Sequence, residues 1–179
     1  MAWRFDRDKV NPSLIPYMPS ASTGGNISSS DRGKLVTVSS NKVGLLQGSS
    51  LAPVGAIIAG IFSGVLRDNL TNTSADSTNR VYIEPIQPNE ILEVDYSTAY
   101  AASTATLMVT SNIGYYFNTC TTEGLAGGGS SVIQAGILAG LFDPTDGVAV
   151  ADTSHWIRLV GFDNTRRIAK VTIPSSNLA

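Results

Sequence analysis

The chain of 179 residues contains one cysteine, Cys120, and one histidine, His155. A single thiol excludes an intrachain disulfide and any cysteine-built zinc or iron–sulfur site within one chain. A single imidazole excludes a histidine-rich metal site. Charge is scarce as well. Asp, Glu, Lys and Arg make up 15% of the residues and sum to a net charge of −2, whereas ordinary soluble domains carry ~25% charged residues. With no basic excess, a nucleic-acid partner is not expected. Long apolar runs are missing too. The longest, Leu51–Leu66, is broken by Gly and Ser and falls short of the ~18 residues of a membrane-spanning helix, so no membrane partner is expected. The opening MAWRFDRDKV alternates charge from Arg4 onward and no apolar h-region follows, so it does not read as a secretory signal. The N-x-Ser/Thr triplets at Asn26, Asn69 and Asn72 are of the kind chance supplies in a Ser/Thr-rich chain.

What is present is β-type text punctuated by Gly, Pro and Asn. Residues 1–33 read as an extended N-terminal arm. Trp3, Phe5, Val10, Leu14, Ile15, Tyr17 and Met18 are apolar without helical spacing, and Pro12, Pro16 and Pro19 forbid a regular helix. The stretch SASTGGNISSSDRG that follows is low in complexity. Large apolar residues on such an arm need a surface to lie on, and the sharper expectation is a neighbouring chain. These seven residues are the candidate partner-binding set.

Residues 34–179 read as a β-rich body. Lys34–Val38, Ala56–Leu66 and Thr106–Ser111 are expected strands, and Val132–Phe142 is a second small-residue apolar strand like that around Gly60. Val81–Ile86 and Ile91–Tyr96 are expected to form a hairpin about Gln87-Pro88-Asn89-Glu90. Asp143-Pro144-Thr145-Asp146-Gly147 reads as a tight turn, Tyr115–Gly129 as a loop, and Trp156–Phe162 with Ile168–Ile173 as a last hairpin turning at Asp163-Asn164-Thr165. Ser97–Ala105 is the one weak helix candidate. The fold class is therefore all-β, a barrel or sandwich.

The second half echoes the first. Val38–Gly44 matches Val109–Gly114, Ile58–Phe62 matches Leu138–Phe142, and Ile91–Tyr96 matches Ile168–Ile173, in the same order. An internal duplication with units 34–104 and 105–179 is the expectation.

No group of residues makes a convincing reaction centre. Asp152, Ser154 and His155 are too close in sequence to adopt triad geometry. Glu90, Glu93 and Asp95 suit the wet face of a strand. Asp143 and Asp146 lack the rest of a calcium loop, Gly127–Gly129 lacks the lysine of a phosphate loop, and Cys120 has no basic neighbour in sequence to activate it. The sequence reads as non-enzymatic, with no catalytic residue, cofactor or metal.

The segment from Lys34 to Tyr96 resembles the small β-rich decoration, or cement, proteins of tailed-bacteriophage heads. The features that carry the likeness are a Ser/Gly/Pro-rich arm, LVTVSSNKV, the small-residue strand VGAIIAGIF, a polar loop and VYIEPIQPNEILEVDY. The resemblance implies a β-barrel or β-tulip-like body and an arm that orders on the shell. It also implies binding to the major capsid protein on the outer surface of a virion whose parts are made in the host cytoplasm. Self-association as a trimer is favoured, and a duplicated chain would instead act as a dimer or monomer. The alternative is a tail or fibre adhesin module that binds a host-surface glycan, for which Tyr115, Tyr116 and Phe117 are the candidate aromatic cluster.

Overall fold

The computed structural model describes residues 3–6, 13–20, 27–46, 57–67, 72–73, 78–95, 108–120, 141–151 and 155–179. These residues form strands joined by turns and short 3-10 segments, so the fold is all-β. In chain order the strands are β1 (Trp3–Phe5), β2 (Ile15–Pro19), β3 (Ile27–Ser28), β4 (Leu35–Ser39), β5 (Lys42–Leu45), β6 (Ile57–Leu66), β7 (Asn72–Thr73), β8 (Val81–Glu84), β9 (Leu92–Asp95), β10 (Tyr116–Cys120), β11 (Leu141–Val148), β12 (Ile157–Asp163) and β13 (Ile168–Thr172). Strands β2-β5-β4-β6-β8 close a five-stranded barrel, β1-β9-β13-β12-β10-β11 make a six-stranded sheet, and β3 pairs with β7.

The apolar text of β4 and β6 is dense because both strands are buried on two sides. Val36, Ala59 and Phe62 join Val43, Leu45, Val81 and Ile83 in a core drawn from the barrel strands. Leu35, Ile58 and Ile61 join a second core with Trp3, Leu92, Val94, Phe117, Trp156, Leu159 and Val171 of the sheet. The second core is what holds sheet to barrel. Strict alternation would put residues 58 and 61 on opposite faces. A register shift resolves this: Val36 pairs with Gly60 and Thr37 with Ile58, leaving Ala59 as the extra residue of a bulge that resets the phase.

The β4–β5 connection is a two-residue turn. Ser39 pairs with Lys42, and Ser40 and Asn41 both adopt positive φ, 50° and 59°. Such mirror-image turns match the right-handed twist of the flanking strands. The last hairpin, β12–β13, closes Asp163 on Ile168 as expected. The Asp163 carboxylate accepts the Thr165 and Arg166 amides at 2.9 and 3.0 Å, the side-chain device by which aspartate starts a turn.

Several expectations are corrected. The separate arm is not what the described residues of 1–33 form. β1 pairs antiparallel with β9 at the edge of the sheet, and β2 is a stave of the barrel. Along β2, Ile15–Tyr17 pair with β8 and Met18–Pro19 with β5. Each neighbour therefore uses only part of the strand, and Pro16 and Pro19 fit without interrupting a long ladder.

The turn at Gln87–Glu90 is present. Asn89 has φ 65°, the Glu90 amide donates to the Gln87 carbonyl at 3.1 Å, and the Glu90 carboxylate accepts the Gln87 amide at 2.9 Å. It does not make a hairpin, however: β8 enters the barrel and β9 the sheet, so this turn is the crossover between them. Thr110–Asn112 is a 3-10 turn rather than part of a strand, and Tyr116–Cys120 is strand rather than loop. Residues 143–147 lie within β11 rather than forming a tight turn. Phe117 pairs with Gly147 and Thr119 with Phe142, so residues 143–146 bulge out opposite Asn118.

The duplication is not expressed in the matched pieces that the structure describes. Val38–Gly44 is a hairpin while Val109–Gly114 holds a 3-10 turn. Ile91–Tyr96 and Ile168–Ile173 supply β9 and β13, antiparallel neighbours in one sheet. Their similar alternation reflects a shared environment, with one face buried against the same core. The Gly140 segment and the Ser97–Ala105 helix candidate lie outside the described residues.

Candidate docking surface

The candidate partner-binding residues lie mostly inward. Trp3 is 4% exposed in the core between sheet and barrel, and Phe5 packs on that core. Tyr17 packs on the barrel core, and Leu14 and Met18 are half-buried. Only Ile15, at 40% exposure, faces solvent; Val10 lies outside the described residues. Trp3 and Phe5 cannot anchor a partner while they fill their own core. The sequence could not separate these outcomes, because a short apolar edge strand and an apolar arm have the same text.

The β1 end of the sheet is neutralised internally. Arg4, Glu93 and Lys170 stand in one row across β1, β9 and β13. Arg4 Nε donates to Glu93 Oε2 at 2.9 Å, Lys170 Nζ is paired with Asp6 Oδ1, and Lys170 Nζ lies 3.7 Å from Glu93 Oε1. The hydrogen bond to Asp6, reinforced by the charges of Asp6 and Glu93, pushes the Lys170 ammonium above its ordinary value. At the barrel, Asp31 accepts Lys34 Nζ at 2.6 Å and the Ser28 amide at 2.8 Å. Burial raises the Asp31 carboxyl, but these bonds outweigh it and hold the group below its usual range.

The turn that leads into β10 differs. The turn Val109–Tyr115 is closed by three amide bonds: Asn112 to the Val109 carbonyl at 2.9 Å, Ile113 to Thr110 at 3.1 Å and Tyr115 to Asn112 at 3.1 Å. It is stitched to β12 by the Gly114 amide on the Leu159 carbonyl and the Leu159 amide on the Tyr115 carbonyl, both 2.9 Å. Asn164 Nδ2 donates to the Met108 carbonyl at 2.9 Å and ties in the β12–β13 loop. On this scaffold Val109 is 53% exposed, Ile113 45%, Tyr115 40% and Val160 37%. Val160 is the extra residue of a bulge, since Leu159 pairs with Val171 and Gly161 with Lys170. Arg158 and Arg166 are exposed as well.

Sequence reading missed this cluster because VTSNIG looked like the end of a strand. The available signal was Asn112-Ile113-Gly114, turn text carrying an apolar residue. The aromatic trio does not form an exposed platform: Tyr115 faces solvent, Tyr116 is half-buried and Phe117 is fully buried.

Glu93 is engaged by Arg4 and Lys170, and Glu90 by its own turn. Among the described residues no group of three or more His, Cys, Asp or Glu side chains could hold a metal ion. Asp152 and Ser154, and the side chains of Asp95, Cys120, Asp143 and Asp146, lie outside the description. No helix among the described residues is long and apolar enough to cross a membrane. No protein-family model, curated protein or solved structure matches the chain.

Proposed function

We propose that the chain is a non-enzymatic structural protein that binds the outer surface of a tailed-bacteriophage capsid and cements the shell, with the major capsid protein as its partner. The observation that supports this most is a charge-poor all-β body displaying apolar residues on a hydrogen-bonded turn before β10. Protein interfaces are depleted of charge at their centres, and repeated weak contacts over a shell add through multivalency. A ligand that binds only the assembled shell stabilises it by mass action. Attachment then runs through the exposed surface of the body, because Trp3 and Phe5 are committed to the chain's own core.

The test compares shells of the encoding phage with and without the protein. Shells lacking it should rupture at lower temperature, and adding it back should restore them. Equal rupture temperatures would end this reading. Alanine at Ser154, His155 and Cys120 together should leave the rescue intact, and a folded, shell-bound triple variant that fails to rescue would argue for chemistry instead.

A further inference from the structure

We infer that β1 is an exchangeable strand: when chains fold in one another's company, the groove that β1 fills on β9 accepts β1 of a second copy of this chain. Each exchanged copy then completes its sheet with a neighbour's Trp3, Arg4, Phe5 and Asp6. The inference goes beyond the cement reading and does not rest on it.

Three observations carry it. The first is where β1 is held. The Trp3 amide donates to the Gly33 carbonyl at 2.8 Å, the Asp6 amide donates to the Ile91 carbonyl at 3.0 Å, and Trp3–Phe5 pair with residues 92–94 of β9. β2, the next strand along the chain, is a stave of the barrel instead. These contacts lie far along the chain from β1, so a β1 from another copy makes the same ones. Exchange alters the connection between strands and leaves their contacts as they are, which is why it costs little.

The second is the pattern the groove reads. Trp3 enters a core with Leu92, Val94 and Val171, and Phe5 packs on that core. Arg4 is paired with Glu93 and Asp6 with Lys170. An incoming strand therefore has to offer a large apolar residue, a cation, a second apolar residue and a carboxylate, in that order. Trp3, Arg4, Phe5 and Asp6 meet all of these, and every copy carries them. This complementarity of charge and shape names a second copy as the occupant.

The third is reach. Residues 7–14 separate Asp6 from Ile15, where β2 begins, and a stretch of that length extends to about 30 Å at most. β1 precedes β9 and β13 in the chain, so it is made before its groove and meets that groove as a tethered ligand. A chain's own groove and a neighbour's offer equal contacts, and the concentration of neighbours against the tether's effective concentration decides between them. Trp3 and Phe5 fill the same core in either arrangement, which leaves the outer surface of the body for other partners.

The experiment refolds two full-length variants together from urea at high chain concentration: R4C/C120A, and E93C/C120A carrying a mass tag. Arg4 and Glu93 stand directly opposite each other, and Cα atoms so placed lie about 4.5–5.5 Å apart, within disulfide range. Neither chain can close this bond within itself. Oxidation should give a covalent mixed pair whose disulfide joins position 4 of one chain to position 93 of the other, in a yield that rises with chain concentration. V65C/C120A, with the thiol at an exposed valine of the barrel, should give at least tenfold less when it replaces the tagged chain. If either groove variant does not fold, R4E and E93R take their place. Each alone sets like charges across the β1–β9 pair, and exchange in a mixture restores opposite charges in both grooves. Their mixture should melt above either variant alone and sediment as more than a monomer.

Folded variants that yield no mixed pair overturn the exchange, as does an equal yield with V65C/C120A. A charge-swapped mixture that melts like its separate components overturns it too. The rupture temperature of shells is a separate measurement, so these results leave the cement reading where it stood.

Discussion

The main-chain carbonyl oxygen of Glu84 lies where a side chain at Gly60 would begin: a Cβ built there would sit 2.2 Å from that oxygen and 2.8 Å from Ile83 Cγ2. Gly60 also has φ +151°. The β6–β8 seam of the barrel, where Ile61 pairs with Glu84 and Phe62 with Ile83, closes only because residue 60 has no side chain. Gly60→Ala should destabilise the protein by about 2–4 kcal/mol, combining overpacking with backbone strain. Gly114→Ala, at φ +92° in open space, should cost only the conformational part, about 1–2 kcal/mol. Urea midpoints of the two variants measure the difference, and equal losses would contradict the seam argument.

Trp3 makes the second case. If β1 belongs to the body, Trp3→Ala removes a core side chain that is 4% exposed and should cost about 3–5 kcal/mol. Deleting residues 2–6 should lower the melting temperature of the isolated protein. An unchanged melting temperature after that deletion would restore the picture of a detached arm.

The β4–β5 turn should be improvable. Ser40 and Asn41 hold positive φ, a conformation that favours Asn followed by Gly. The pair S40N/N41G should raise stability by about 0.5–1 kcal/mol, read from the shift in the urea midpoint, without changing its slope.

The pH dependence follows from Asp31 and Lys170. The Asp31 carboxyl is held below its ordinary value of 3.8, so the native state favours the ionised form. That stabilisation is complete above the unfolded-state value and is lost as pH falls through the lower folded value. Asp31→Asn should therefore cost stability at pH 6, and the gap from wild type should narrow below about pH 3.8. Lys170 is held above its ordinary value of 10.5. Its contribution is present below that pH and is lost as pH rises through the folded value, so Lys170→Met should converge on wild type only in strong alkali. Thermal melts across pH give both signs.

Local chemistry made much of the fold readable in advance. β4, β6 and the β12–β13 hairpin were legible because apolar pattern and turn residues sat side by side in sequence. Partner choice was not legible. The Pro88-Asn89 turn was identified correctly, yet Val81–Glu84 and Leu92–Asp95 part into different sheets, since alternation tells a strand which face is wet and not which strand lies beside it. β10 was hidden because Asn118 and Thr119 dilute its apolar signal. The exposed cluster around Ile113 depends on the Gly114–Leu159 and Tyr115–Leu159 bonds, contacts between distant segments that no local pattern contains.

The pairing of β1 with late strands sets an order of assembly during synthesis. The barrel strands all lie between Ile15 and Glu84, so the barrel's hydrogen-bonding partners are made first. Arg4 finds Glu93 across 89 residues, and Asp6 finds Lys170 across 164. At ~5–20 residues per second a ribosome takes on the order of ten to thirty seconds to span the longer distance. Through most of that interval Trp3 is already made while Leu159, Ala169 and Val171, which share its core, are not. The edge of the sheet is finished by a strand made before every other described strand, one that has waited longest among them for a place.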